Sequence, residues 1–503
     1  MHKELEPAVP VDAAALVVLE PGSNRVLWAR RNPALAFLGG FHSFPGGKFD
    51  AADSDADVRN SFDREHDRLI ACAVREAFEE VGLLMVRNGS RLTSGQRRSL
   101  HDDLISGRSS FAEILEHWGL WIDAADFSYA GSWITPEFSP RRFDTRFYVC
   151  TAPKNQTPYS AIDELVDVEY IDAQLALAHW RESRVLIAPP VHAALKALNE
   201  ILESEPEDPN PRLAENYKRR SEKAAAGPHY FALNDRSVCI PLRTKTLPPA
   251  THTNCFIIGN KDFIVIDPAS TEPIEQARLE ALLERRMRLG ANPKAIVVSH
   301  LHPDHFGGEQ ALKRYFKERF DLDVPILAHK ETIDALNGKT EIDGEIGRDF
   351  VLKDEAGEEF VLENLHLPGH AKGLLCFYDR QRGFLFSTDN VVGIGSVVIA
   401  PPEGNMSDYL ESLRKMEELP GLRSLCGSHG PAIGDARQKI RQYIEHRLER
   451  EQQVLSAFET GFNDSNSIAE FIYKDLSEAL MPLARLSVEA HLERLEKDRR
   501  ISR

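Results

Sequence analysis

The chain has 503 residues, with 61 Lys and Arg against 78 Asp and Glu and a formal net charge of −17. That balance argues against nonspecific binding to nucleic acid, and no apolar run is long enough to cross a bilayer. Six scattered cysteines without a CxxC pair argue against a zinc ribbon or a disulfide framework. The length calls for about three domains.

The first residues, MHKELEPAVPVDAAALVVLEPGSN, lack a basic stretch followed by an apolar one, which predicts a cytoplasmic protein. Phe37-Leu38-Gly39-Gly40 leads to a glycine-rich loop, Phe44-Pro45-Gly46-Gly47-Lys48. Leu69 to Val81 has helical character, with Gly82 suited to its end. Glu76, Glu79 and Glu80 lie at i, i+3 and i+4, so their carboxylates share one helix face. Like charges crowded in this way call for a cation, and hard oxygen donors suit Mg²⁺ or Mn²⁺. A solvated acidic face is the ordinary reading of such spacing. The string Arg75-Glu76-Ala77-Phe78-Glu79-Glu80-Val81-Gly82-Leu83 after the glycine loop sets that reading aside.

The polar stretch from Asp53 onward reads as a looped insertion, and Glu203 to Gly227 as a linker. Prolines and charges through Pro211 predict irregular structure there. Farther on, Phe263-Ile264-Val265-Ile266 ends in Asp267, and Ala295-Ile296-Val297-Val298-Ser299 runs into His300-Leu301-His302-Pro303-Asp304-His305. Imidazoles and a carboxylate so closely spaced suit zinc or a similar ion. Alternation along an extended segment predicts His300, His302 and Asp304 on one side, with His305 turned to a second ion. His370, Asp389 and His429 follow at strand ends or in glycine-containing loops. From about Ala436 the chain is helical in pattern, with three apolar-periodic stretches. His491 reads as a packing residue.

The first half resembles the Nudix hydrolases over roughly Val11 to Leu198. Gly46, Gly47 and the REAFEEVGL string match its signature, although Gly47 and Arg75 stand twice as far apart as usual. Asp53 falls in register with the missing first glutamate. The insertion, Trp133-Ile134-Thr135-Pro136 and Arg141-Arg142-Phe143-Asp144-Thr145 are similar to peroxisome-type enzymes that cleave coenzyme A. The resemblance implies an α/β/α sandwich in which Glu76, Glu79 and Glu80 hold Mg²⁺ or Mn²⁺. Glu76 and Glu79 would carry catalysis, Gly46 and Gly47 would lie against substrate, and Arg141 and Arg142 would contact its phosphates.

Asp267, HLHPDH, His370, Asp389 and His429 resemble the metallo-β-lactamase superfamily over roughly Ala225 to Ala432. Asp rather than Cys at the bridging position, and Thr251-His252-Thr253-Asn254-Cys255-Phe256-Ile257-Ile258-Gly259, look like the glyoxalase II and lactamase-like nuclease branch. The resemblance implies an αββα sandwich with two Zn²⁺ (or Fe or Mn). His300, His302 and His370 would hold one ion and Asp304, His305 and His429 the other. Asp389 would bridge them, Asp304 would share in catalysis, and Asp267 would support the site from behind. The helical C-terminal segment is similar to the winged-helix-like cap of that branch.

These readings predict an α/β multidomain chain: a Nudix domain at 8–202, a linker at 203–227, a metallo-β-lactamase-fold domain at 228–434 and a winged-helix-like domain at 435–503. The expected function is a bifunctional metal-dependent hydrolase. Its first half would act on coenzyme A or another nucleoside diphosphate derivative, and its second on small-molecule esters or thioesters. The alternatives are an endoribonuclease or phosphodiesterase in the second half, with RNA as the less favoured substrate, or a first half that only binds a nucleotide and regulates. No membrane partner is expected, and a homodimer is the self-association considered.

Overall fold

The computed structural model describes residues 8–35, 38–61, 63–202, 209–227 and 229–502, so Phe37 and residues 203–208 of the expected linker lie outside it. The chain divides into two compact units, Met1–Arg181 with Val185–His229, and Glu182–Arg184 with Tyr230–Arg503.

Among the described residues the first unit holds an eight-stranded mixed sheet. Its central strand Val11–Leu19 is mostly Ala, Val and Leu and, from Ala13 on, is buried on both faces. It runs parallel to Phe143–Thr151, and its Ala13 to Ala15 pair antiparallel with Gly46–Lys48. The glycine loop is thereby fixed to the middle of the sheet. Ala14, Leu16 and Val18 pack in one cluster with Leu69, Val74 and Phe78 of the helix Arg64–Val81. Asp63 caps that helix by accepting from His66 N–H, and Gly82 ends it at φ 68°.

Two corrections to the sequence reading concern its irregular segments. The insertion is not a free loop: Ala51–Asp55 forms a 3₁₀ turn, and Val58–Arg59 pairs with Ile122–Asp123. The second is Pro209–Ala225, which is a helix. Its prolines fall in the first turn, where a missing N–H costs nothing. Tyr217 on this helix is fully buried, stacks with Trp133 at 6.4 Å and meets Phe147 edge-on at 5.4 Å. The helix therefore covers the face of the sheet opposite Arg64–Val81, completing an α/β/α sandwich.

Tyr217→Ala should cost the first unit about 3–5 kcal/mol, as for other buried aromatic truncations. All five tryptophans of the chain (28, 118, 121, 133 and 180) fall in this unit, so tryptophan fluorescence follows its melting separately from the rest. An unchanged melting curve would show that the helix is not part of the unit's core.

The same probe reads a pH dependence. Burial, then the charge of Arg30, pushes His42 down to about 4. Burial, then Lys196, pushes His192 down to about 3. Both stay neutral in the folded unit while the unfolded chain protonates them below about 6.5. Their contribution to stability is thus complete above about 6.5 and is lost as pH falls toward about 4 for His42 and about 3 for His192, at about 1.4 kcal/mol per pH unit for each. His192→Gln should make the decline shallower. Equal slopes in the two proteins would exclude His192 as a contributor.

Among the described residues the second unit holds a seven-stranded and a five-stranded sheet. Phe256 of one meets Phe386 of the other at 5.2 Å. Helices Pro273–Arg288 and Glu309–Phe320 cover the first sheet through Leu279, Leu283, Leu312 and Phe316. Helices Met406–Glu417 and Ala436–Glu459 pack on the second through Tyr409, Leu413 and Ile440. The order is helix, sheet, sheet, helix. Ser465–Ile472 and Met481–Lys497 complete the C-terminal helices, where Val454, Ile468, Val488 and Leu492 form a small core and His491 is fully buried. No described helix is long and apolar enough to cross a membrane.

Candidate metal centres

In the second unit, parallel strand pairs bring the chemistry to one edge. Asp262–Ile266 and Asn292–Val297 are neighbours in the first sheet, and Phe384–Thr388 and Ser424–Gly427 in the second. Asp267, His300, Asp389 and His429 follow the carboxyl ends of these four strands, where α/β sheets place their ligands. His370 comes from the loop before Leu375–Asp379, and Leu375 N–H donates to Ser299 carbonyl at 3.1 Å, tying that loop to the first sheet.

The side chains fall into three overlapping groups whose donor atoms lie within 4.8 Å: His300, His302 and His370; His300, His305 and Asp389; Asp304, His305 and His429. Asp389 stands at the centre, with Oδ2 3.4 Å from His305 Nε2 and 3.6 Å from His370 Nε2, and Oδ1 3.5 Å from His429 Nε2. One expectation is corrected. The His305 N–H to His302 carbonyl bond at 3.0 Å closes a turn, so alternation stops and Asp304 stands with His305 and His429 rather than with His300 and His302.

Three of the imidazoles are aimed from behind. Asp267 Oδ2 lies 2.8 Å from His305 Nδ1, while its carboxylate also accepts from Ser299 N–H at 2.7 Å and Ser299 hydroxyl at 2.6 Å. His370 Nδ1 donates to Val398 carbonyl at 2.8 Å and His429 Nδ1 to His252 carbonyl at 2.9 Å. These contacts turn the Nε2 atoms inward. Asp267 and Thr388, with φ of 51° and 43°, hold left-handed conformations uncommon for their side chains. Such strain gathers at functional sites.

Sequence reading missed Asn254, which is buried. Its amide donates to Gly427 and Gly430 carbonyls at 2.8 Å each, and its N–H to Ser428 carbonyl at 2.7 Å, gripping the loop of His429. The Thr253-Asn254 step in the opening strand was visible, but nothing local announced its partner.

The donor set fits metal ions. His305 Nε2, His370 Nε2 and Asp389 Oδ1 are buried without a hydrogen-bond partner, a costly arrangement unless a cation takes them up. Burial opposes charge on His305 and His429, yet the surrounding carboxylates, Asp389 foremost, raise His305 well above its ordinary range and His429 to about 10. Burial likewise opposes ionisation of Asp304 and Asp389, but the imidazoles hold both well below the usual carboxylate range. Protons on two histidines partly balance the carboxylates in the metal-free chain, and divalent ions would displace them.

The first unit assembles a different set. Glu76, Glu79 and Glu80 lie in the last turns of Arg64–Val81, with Glu76 and Glu80 against the glycine loop. Glu80 is buried and accepts from Gly46 N–H at 2.9 Å. A Cβ on Gly47 would stand 2.5 Å from the Glu76 carboxylate, so any larger residue there would push that carboxylate aside. Burial pushes Glu76 up to about 7, and raises Glu79 and, more strongly, Glu80. Arg75 is the local counter-charge, reaching Glu76 at 2.9 Å and Glu79 at 3.1 Å. It also closes on Asp53 through two bonds of 2.6 and 3.1 Å. Asp53, a residue of the insertion's first turn, thus supplies the carboxylate that the register suggested. Arg75 answers Glu76, Glu79 and Asp53, while Glu80 has only the Gly46 N–H, which leaves negative charge for a hard cation to neutralise. Arg142 donates to the carbonyls of Thr135 and Ala8 at 2.9 Å each, which commits it to the backbone, whereas Arg141 is exposed.

Comparison with known proteins finds a hydrolase family in each of the two units. Residues 248–429 match the Metallo-beta-lactamase superfamily, 65–198 the NUDT19 Nudix domain, and 465–503 the Beta-lactamase associated winged helix domain. The Beta-lactamase-like protein 2 homolog of Drosophila melanogaster is 28% identical over 257 residues, covering 49% of this chain and 82% of that protein. The Atrochrysone carboxyl ACP thioesterase of Aspergillus fumigatus is 26% identical over 220 residues, 43% of this chain and 63% of that protein. A solved NUDIX hydrolase from Alicyclobacillus acidocaldarius is 32% identical, covering 38% of this chain and 91% of that one, with a TM-score of 0.35. The chain is a hydrolase in which a Nudix domain is fused to a metallo-β-lactamase domain and a winged-helix domain.

Proposed function

We propose that the chain is a bifunctional metal-dependent hydrolase: a diphosphatase acting on coenzyme A or a related nucleoside diphosphate derivative, joined to an ester or thioester hydrolase. The carrying observation is that each unit holds its own set of converging donors with its own chemistry, carboxylates around Glu76 in one and imidazoles around Asp389 in the other. Oxygen donors favour Mg²⁺ or Mn²⁺; mixed imidazole and carboxylate donors favour Zn²⁺ or Fe and Mn.

In the second unit His300, His302 and His370 would hold one ion, Asp304, His305 and His429 the other, with Asp389 between them. Bound there, the ions would lower the pKa of a water and polarise the bond under attack. The chain's own work is orientation. Asp267, the Val398 carbonyl and the His252 carbonyl fix the imidazole rings, and Asn254 fixes the loop beneath His429. A thioester is the preferred substrate because the Aspergillus relative is a thioesterase. In the first unit Glu76, Glu79 and Glu80 would hold the cation that neutralises a diphosphate. Gly46 and Gly47 let the backbone approach it, and Arg141 is the exposed guanidinium available to its phosphates.

A substrate panel on the full chain tests this reading, with coenzyme A, acyl-coenzyme A, nucleoside diphosphate sugars, simple thioesters, a phosphodiester and RNA. Release of 3′,5′-ADP from coenzyme A and of thiol from a thioester is expected. Cleavage of RNA with inert thioesters would replace the second assignment. Rapid cleavage of a diphosphate sugar with inert coenzyme A would replace the first.

A further inference from the structure

The helix Ala436–Glu459 begins beyond the residues that match the metallo-β-lactamase superfamily and ends before those that match the winged-helix domain. Two of its side chains nevertheless reach the segments that aim the ligands. Arg447 is 4% exposed, and its Nη2 donates to Val397 carbonyl at 2.5 Å. The next residue, Val398, offers the carbonyl that accepts from His370 Nδ1. Arg447 also lies over the ring of Tyr409 at 5.5 Å, and Tyr409 hydroxyl donates to Asn390 carbonyl at 2.7 Å, one residue after Asp389. One turn earlier on the same helix, Tyr443 hydroxyl donates to Val392 carbonyl at 3.2 Å and accepts from Val392 N–H at 3.3 Å.

We infer that Arg447 and Tyr443 are positioning residues for the metal centre, holding the backbone on which His370 and Asp389 depend. The inference rests on reading the histidine and aspartate cluster as a dinuclear site. A buried guanidinium is a costly way to secure a loop that an apolar side chain could pack against. Its Nη2 does what packing cannot, since one N–H held on a carbonyl fixes that carbonyl in one direction. Among the described residues His370 has a single outer partner, the Val398 carbonyl, so a shift of the Val397–Val398 segment rotates the ring. The Tyr409 and Tyr443 contacts restrain Asn390 and Val392, just after Asp389.

The test uses the full-length chain, stripped by a chelator and titrated with Zn²⁺ in competition with a chromogenic chelator. Melting of the metal-free chain is followed in parallel by circular dichroism. In Arg447→Met, Zn²⁺ affinity should fall about tenfold or more, the scale seen when outer partners of metal ligands are lost. Arg447→Lys should recover part of it, and Tyr443→Phe should lose less in the same direction. A purely structural role would lower the melting temperature of the metal-free chain and leave Zn²⁺ affinity unchanged, which overturns the inference. If Arg447→Met does not fold, unchanged Zn²⁺ affinity in Tyr443→Phe overturns it instead. An unsubstituted chain that binds no Zn²⁺ would remove the metal-site reading itself, a result distinct from either.

Discussion

Asp389→Ala should abolish ester or thioester hydrolysis while leaving the fold in place. Asp389 is the residue shared by the two halves of the cluster, within 4.0 Å of His300, His305, His370 and His429. On the dinuclear reading, its loss would remove a ligand to both ions, and it takes away the largest counter-charge to His305 and His429. Several kcal/mol of transition-state stabilisation go with it, about a thousandfold or more in kcat/KM. Bound metal, measured by elemental analysis of the purified protein, should fall below two ions per chain, with an unchanged circular dichroism spectrum. Full activity with a single ion bound would defeat the dinuclear assignment.

Glu79→Gln should remove diphosphate cleavage dependent on Mg²⁺ or Mn²⁺, again by about a thousandfold or more, and spare the second activity. The substitution keeps the shape and deletes the charge. Glu79 is the most exposed of the three carboxylates for which solvent access matters, with 22% of its side chain accessible against 15% for Glu76. Arg75 would keep its bonds to Asp53 and Glu76. Both activities measured on the same preparation decide the matter. Joint loss in a folded protein would mean that the two sets of donors form one composite centre.

The ligand candidates were legible because each is a residue type with little reason to stand where it does. A histidine or aspartate just after a buried apolar strand, repeated four times along one chain, is a chemical pattern before it is a structural one. What supports them was not legible. The carbonyls of His252 and Val398 belong to residues whose side chains say nothing of the role, and the pairing is made only when distant strands meet. Pro209–Ala225 was misread because Pro209 and Pro211 weigh against a helix in its interior but not in its first turn. The turn at His302 defeated the alternation argument for the same kind of reason: a local hydrogen bond outweighed the extended pattern. In the insertion, spacing obscured a relation that residue type preserved, since Asp53 still finds Arg75.

That pairing changes what the intervening segment is free to do. Asp53 and Arg75 clasp each other, and the residues between them leave and return at the two sides of a single buried ion pair. Arg59 lies over Trp121 at 4.7 Å and Asn60 donates to Asp123 at 2.9 Å, so the excursion is moored at its far side as well. A stretch hung this way behaves as a buckled strap: its length can drift through evolution without dragging on the glutamates beside the buckle. The spacing of a signature can therefore double while the geometry it stands for is kept.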